Sequence, residues 1–222
     1  NIVWEWHLWD HLIQDVDPNL PNYGVISEHP ELQDINYGNA GSNGGPGGAN
    51  GDWKHFNAVA YNEDLDQIAL SSRFHDEIYI IDHSTTAQEA AGHTGGNSGM
   101  GGDFLYRWGN PQVYDRGIDL DRLLGDQHSV NWIPEGYPGA GNLILFNNNY
   151  GINSAVFEIV TPINENGTYS ILPGQPYGPS EPIWIYTGPF HTQMQGGAFR
   201  LPNGNTLITD CNDATIFEVT YD

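Results

Sequence analysis

The sequence predicts an all-β fold, a segment of a β-propeller with about three four-stranded blades. Three observations lead there. Three stretches, His55–Leu70, His128–Gly136 continued by Gly141–Phe146, and Gly196–Ile208, each read as strand, polar turn, strand, which is the pattern of a hairpin. Each is followed by a short apolar run: Glu77–Ile81, Ala155–Val160 and Thr215–Val219. The first two are then followed by an aromatic run, Phe104–Gly109 and Pro182–Tyr186. Four strands per repeat is the blade of a propeller.

In chain order, the expected repeats span about residues 53–110, 127–188 and 194–222 of a single domain. The third lacks an aromatic fourth strand, while the chain opens with an unpaired one in residues 2–7, Val3-Trp-Glu-Trp-His7 at its centre. That strand either completes the last blade or is the outer strand of a blade whose other strands are absent. Asp10–Asp15 reads as a short helix, and Asp82–Ala91 as another turn or two, with Ser84 or Thr85 as cap. The glycine-rich tracts Asn39–Gly51 and Gly92–Gly102 read as long connections. Neither ends in the Gly-Lys-Ser/Thr of a phosphate loop, which argues against nucleotide binding. Three blades are too few to close a ring, because propellers have about 4–8. The remaining sheet edges and faces are therefore expected to be covered by further blades or other chains, an oligomer being one route.

Composition narrows the function. The 222 residues are 38% hydrophobic and 12% aromatic, enough for extensive contact between sheets. Against 28 acidic residues stand only 6 basic ones, a formal net charge of −22. A nucleic-acid partner needs a basic track, which Lys54 and five arginines do not supply. An acidic surface suits a salty or extracellular setting. Bound calcium is possible on this chemistry, but Asn62–Asp66 and Asp210–Asp213 lack the glycine and terminal glutamate of the twelve-residue calcium loop and read first as turns. The lone Cys211 excludes an intrachain disulfide and is expected to be a small buried residue. No run approaches the ~18–20 apolar residues of a membrane span. The chain begins inside a strand-like motif, so the native N-terminus and any export signal are expected upstream.

The chemistry is expected in the histidines. His55 and His128 stand at the start of the first strand of two repeats. In a propeller that strand is innermost, so equivalent starts converge on one mouth of the channel. His191 lies on the loop entering the corresponding strand of the third repeat. Imidazoles so gathered can perform nucleophilic transfer, acid/base work or metal binding, because their unperturbed pKa of about 6.5 keeps both forms accessible. The alternative is that each hydrogen-bonds its neighbouring backbone. His7, His11, His29, His75, His83 and His93 share no such register and are expected to be structural or exposed.

His55-Phe-Asn-Ala-Val, Tyr106-Arg-Trp-Gly-Asn-Pro-Gln112, Gln127-His-Ser, Leu145-Phe-Asn-Asn-Asn and Leu201-Pro-Asn-Gly-Asn-Thr-Leu-Ile, in that order, resemble the PAPS-independent arylsulfotransferase family. The resemblance runs over most of the chain. It implies a six-bladed propeller, exported to the periplasm or the extracellular space. It also implies transfer of a sulfuryl group between phenolic compounds through a sulfated histidine, with no cofactor. On this resemblance His55 and His128 bind and polarise the sulfate, Asn148 supplies an amide, and His191 is the nucleophile. It also implies an arginine shortly after the Phe-Asn-Asn-Asn turn, yet no arginine lies between Arg122 and Arg200. Arg200 or Arg107, from other repeats, is then the expected stand-in. The competing expectation is a non-catalytic extracellular binding or structural propeller within a larger assembly.

Overall fold

The computed structural model describes residues 1–38, 44–45, 48–49 and 51–222. Most of the Asn39–Gly51 tract, expected to be a long connection, lies outside the described residues. Two small ribbons open the chain. β1 (Leu12–Ile13) runs parallel to β2 (Gln33–Asp34), and β3 (Gly44–Gly45) pairs antiparallel with β4 (Gly48–Ala49).

Three antiparallel meanders follow, at the places where the repeats are expected. The first sheet is β5 (Phe56–Asn62), β6 (Gln67–Ser72), β7 (Glu77–Asp82) and β8 (Tyr106–Trp108). The second is β9 (His128–Trp132), β10 (Leu143–Tyr150), β11 (Asn153–Ile159) and β12 (Trp184–Thr187). The third holds β13 (Gly197–Arg200), β14 (Thr206–Asp210) and β15 (Thr215–Val219). The chain is all-β, and its only α-helix among the described residues is the single turn α1 (Ala87–Ala90).

The apolar runs are continuous because both faces of these strands are covered. Successive residues of a strand point to opposite faces. Thus Ile78 and Ile80 of β7 enter one core with Leu143, Leu145 and Phe157 of the second sheet. Tyr79 and Ile81 enter another with Leu70 and Phe104, against which Trp4 and Trp6 pack. The second sheet repeats this arrangement. Ile144, Phe146 and Val156 turn away from the first sheet and pack on Ala198 and Ile208 of the third. The sheets therefore stack in chain order, with β5 and β6 against β9, and β9 and β10 against β13.

Four local expectations are corrected. Residues 2–7 form no strand. Trp4 instead donates its indole N–H to Thr85 Oγ1 (3.1 Å) and Trp6 to Gly102 O (2.7 Å), so both rings lie on the face of the first sheet with their polar edges satisfied. Asp10–Asp15 forms no α-helix, because Asp10 ends a 3-10 turn (Leu8–Asp10) and Leu12 and Ile13 pair with Gln33 and Asp34. Thr86, not Ser84 or Thr85, caps α1. It accepts from the Glu89 amide while Glu89 reaches back to the Thr86 amide (2.8 Å), closing a capping box. Cys211 is exposed, on the turn after β14.

Candidate functional site

His55 and His128 both stand at the entry to a first strand, and the turn from β6 to β7 connects them. Arg73 begins that turn. Its backbone N–H donates to the His55 carbonyl (3.2 Å), and its Nε lies 3.2 Å from Asp126 Oδ1. The Asp126 carbonyl in turn faces His128 Nδ1 at 3.0 Å. His128 feels the charges of both Arg73 and His55, so the three basic groups occupy one neighbourhood. The stacking of β5 against β9 produces this, with the Asn57 side chain donating to the Gln127 carbonyl (2.7 Å) as the link between sheets.

The His128 ring is held at both nitrogens. Nδ1 faces Asn148 Oδ1 at 2.8 Å as well as the Asp126 carbonyl, and the Gln195 backbone N–H points at Nε2 (3.2 Å). Two acceptors at Nδ1 and a donor at Nε2 place the proton on Nδ1 and the lone pair on Nε2. Burial pushes the His128 pKa down, against the Asn148 and Asp126 hydrogen bonds, and Arg73 and His55 push it further down. The ring is thus held neutral, its Nε2 lone pair accepting from Gln195. Asn148 is fixed by donating to the Thr192 and Gln195 carbonyls (2.8 and 2.7 Å). The His55 Nδ1 contacts Asp52 Oδ2 at 2.5 Å, and its ring packs on Phe74. That pairing leaves Nε2 as the basic nitrogen.

The remaining expected site residues lie apart from this group. His191 is exposed, with its Nδ1 on the Ile152 carbonyl (3.1 Å). Arg107 and Arg200 have side chains 0% exposed, each spent on a buried carboxylate: Arg107 on Glu77 (2.6 Å) and Arg200 on Glu158 (2.5 Å). Arg200 Nε has no partner among the described residues, but both guanidinium groups are fully buried, so neither presents a donor to a ligand. Arg73 also faces a carboxylate, Asp126, but keeps a fifth of its side chain exposed, and through Asp126 it is linked to His128. Reading the chain for an arginine near the second repeat overlooked it, although it directly follows the second strand of the first repeat. In a meander that position returns to the end where His55 begins. Nor do the ligand atoms of His55, His128 and His191 converge as a metal site would require.

A model of the arylsulfotransferase (ASST) family matches residues 1–170. The match takes in the first sheet and β9 to β11, hence His55, Arg73, His128 and Asn148, while His191, Arg200 and the third sheet lie beyond it. No curated protein matches the chain.

Proposed function

Because the chain belongs to the arylsulfotransferase family, we propose that it transfers a sulfuryl group from an aryl sulfate to a phenol, with His128 as the nucleophile. In the first step the Nε2 lone pair of His128 attacks sulfur, the sulfur–oxygen bond to the donor breaks, and the donor leaves as phenolate. In the second, the acceptor phenol oxygen attacks sulfur and the sulfur–nitrogen bond breaks. The acceptor proton passes to His55 Nε2, whose other nitrogen is held by Asp52. Splitting the transfer this way requires a covalent histidine intermediate. Arg73 supplies the cation opposite the sulfuryl oxygens, where charge stabilisation is worth most. Asn148 holds the tautomer and orientation of His128. The observation that carries this reading is the neutral, Nδ1-anchored His128 beside Arg73.

The three sheets are read as three blades of a six-bladed propeller whose first strands line a channel mouth, in a protein exported beyond the cytoplasm. His191, exposed and turned to a backbone carbonyl, serves in this reading at most at the rim. The Gln195 N–H occupies the attacking nitrogen, so substrate entry must displace the Gln195–Gly196 segment. That contact is also what favours the second reading, a non-catalytic propeller in which the same hydrogen bonds only hold sheets together.

The complete protein, incubated with para-nitrophenyl sulfate and excess phenol, is expected to release para-nitrophenolate without a nucleotide. A rapidly quenched reaction should hold a sulfuryl group on one histidine. His128→Ala should abolish label and turnover. Arg73→Ala should lower kcat/KM by ~10²–10³, as for removal of an oxyanion donor. No turnover across a panel of aryl sulfates defeats the enzyme; label that survives His128→Ala defeats this choice of nucleophile.

A further inference from the structure

A second group of histidines lies elsewhere, under the N-terminal segment. His11 follows the 3-10 turn Leu8–Asp10, and His93 and Asp103 stand at the two ends of the glycine-rich loop after α1. One oxygen, Asp103 Oδ1, faces His11 Nδ1 at 2.7 Å and His93 Nδ1 at 2.8 Å. The three ligand atoms all lie within 4.8 Å of one another.

His11 is 0% exposed, and its other nitrogen, Nε2, lies 2.9 Å from the Ala90 carbonyl. A carbonyl only accepts, so Nε2 carries a proton. This is the outer contact that metal-binding histidines make, and it leaves the Nδ1 lone pair directed at the carboxylate. Without an ion, a proton on His11 Nδ1 and the Nδ1–H of His93 satisfy the two contacts with the carboxylate. A metal ion replaces both protons and is held by all three donors together.

The glycines make the approach possible. Gly95, Gly96, Gly99 and Gly101 have positive φ, which folds the loop back so that its ends meet. Gly102 has a different role: a Cβ there would collide with the Ala90 carbonyl and with the His11 ring. Trp6 lies parallel to the His11 ring, 5.6 Å between centres, closing it from solvent. On the other side the His93 side chain is 59% exposed and lines a cavity of about 520 Å³.

We propose that His11 Nδ1, His93 Nδ1 and Asp103 Oδ1 bind a divalent transition-metal ion of the zinc type, with the fourth position open to solvent. Two imidazoles and a carboxylate suit zinc, and three protein ligands with an open fourth is one of its ordinary arrangements. The ion fastens the N-terminal segment and the glycine loop to the first sheet. This site is independent of the sulfuryl-transfer reading.

The test is titration of the chelator-stripped full chain with Zn²⁺, read by calorimetry, and with Co²⁺, read by its visible bands. A surface with net charge −22 also attracts cations loosely, so the titration is run in high salt with His191→Ala as a remote-histidine control. One ion per chain, tetrahedral cobalt bands, and a thermal midpoint raised by zinc are expected. His93→Ala removes an exposed ligand without disturbing the core and should weaken binding at least about 100-fold, the upper end of what loss of an outer contact already costs, while His191→Ala binds normally. No stoichiometric binding, or binding unchanged in His93→Ala, overturns the proposal and leaves protons as the cations of this cluster.

Discussion

His75 shows how much a single side chain's setting matters. Its ring sits among Tyr37 and Trp53, and among the described residues neither nitrogen makes a well-formed hydrogen bond, the Tyr37 backbone offering a weak one. Burial, reinforced by the charges of Lys54 and Arg107, pushes its pKa down to about 2. The unfolded chain takes up a proton on this residue below about pH 6.5, and the folded chain does not until about pH 2. Stability is therefore fully present above 6.5 and is lost progressively as the pH falls through that window. His75→Leu, of similar volume and without a titrating group, should reduce the difference in stability between pH 7 and pH 5 by about 2 kcal/mol. Urea unfolding of both proteins at the two pH values measures this, and equal differences would show that the ring titrates in the native state. His128 differs in kind: it too is buried and depressed, but hydrogen-bonded at both nitrogens and placed beside a cation.

At the scale of elements, the join between the first two sheets rests on Gln127, the residue before β9. The two N–H groups of its side-chain amide are shared among Ser71 Oγ, the Ser72 carbonyl and the Glu77 carbonyl, which lie 3.1, 3.1 and 2.9 Å from the nitrogen. Its backbone carbonyl accepts from Asn57. The β6–β7 turn, which carries Arg73, is thereby tied to the strand that carries His128. Gln127→Ala should cost about 1–3 kcal/mol, the range for buried carbonyls left without a donor. Gln127→Glu should cost more, because a carboxylate would face those same carbonyls. Urea midpoints rank the variants, and an alanine variant as stable as the parent would remove this bracket from the account. Both substitutions should also lower the sulfuryl-transfer rate, since Arg73 and His128 lose their common support.

For the whole molecule, the stack of three sheets leaves apolar surface at both ends. Phe199 and Ile216 of the third sheet are 48% and 67% exposed on the face away from the second. Beyond the first sheet, a cavity of about 610 Å³ is lined by Trp4, Trp6, Trp9, Phe56, Val59 and neighbours. Exposed faces of this kind pair with others. Isolated as these 222 residues, the chain is expected to bind a hydrophobic dye and to self-associate reversibly in sedimentation velocity. Ile216→Lys should shift it toward monomer. A parent chain that stays monomeric at high concentration would show that these faces are stable in water and would weaken the propeller reading, in which further blades cover them.

Periodicity alone determined the all-β class, the three meanders and the order of their strands, because strand alternation and turn residues are local properties of the chain. The resemblance carried by His55, Gln127-His128 and Leu145–Asn149 likewise needed only sequence, and the family match agrees with it. Residues 2–7 were misread for a physical reason: Val3-Trp-Glu-Trp has strand character, but whether it pairs depends on where Thr85 and Gly102 offer acceptors, 81 and 96 residues away. Only the tertiary structure brought Arg73 beside His128, withdrew Arg107 and Arg200 into buried ion pairs, and joined His11 to His93 and Asp103. Each of these is a contact between segments far apart in the chain. Residue type and spacing set which chemistry is available; the stacking of the sheets selects the partners.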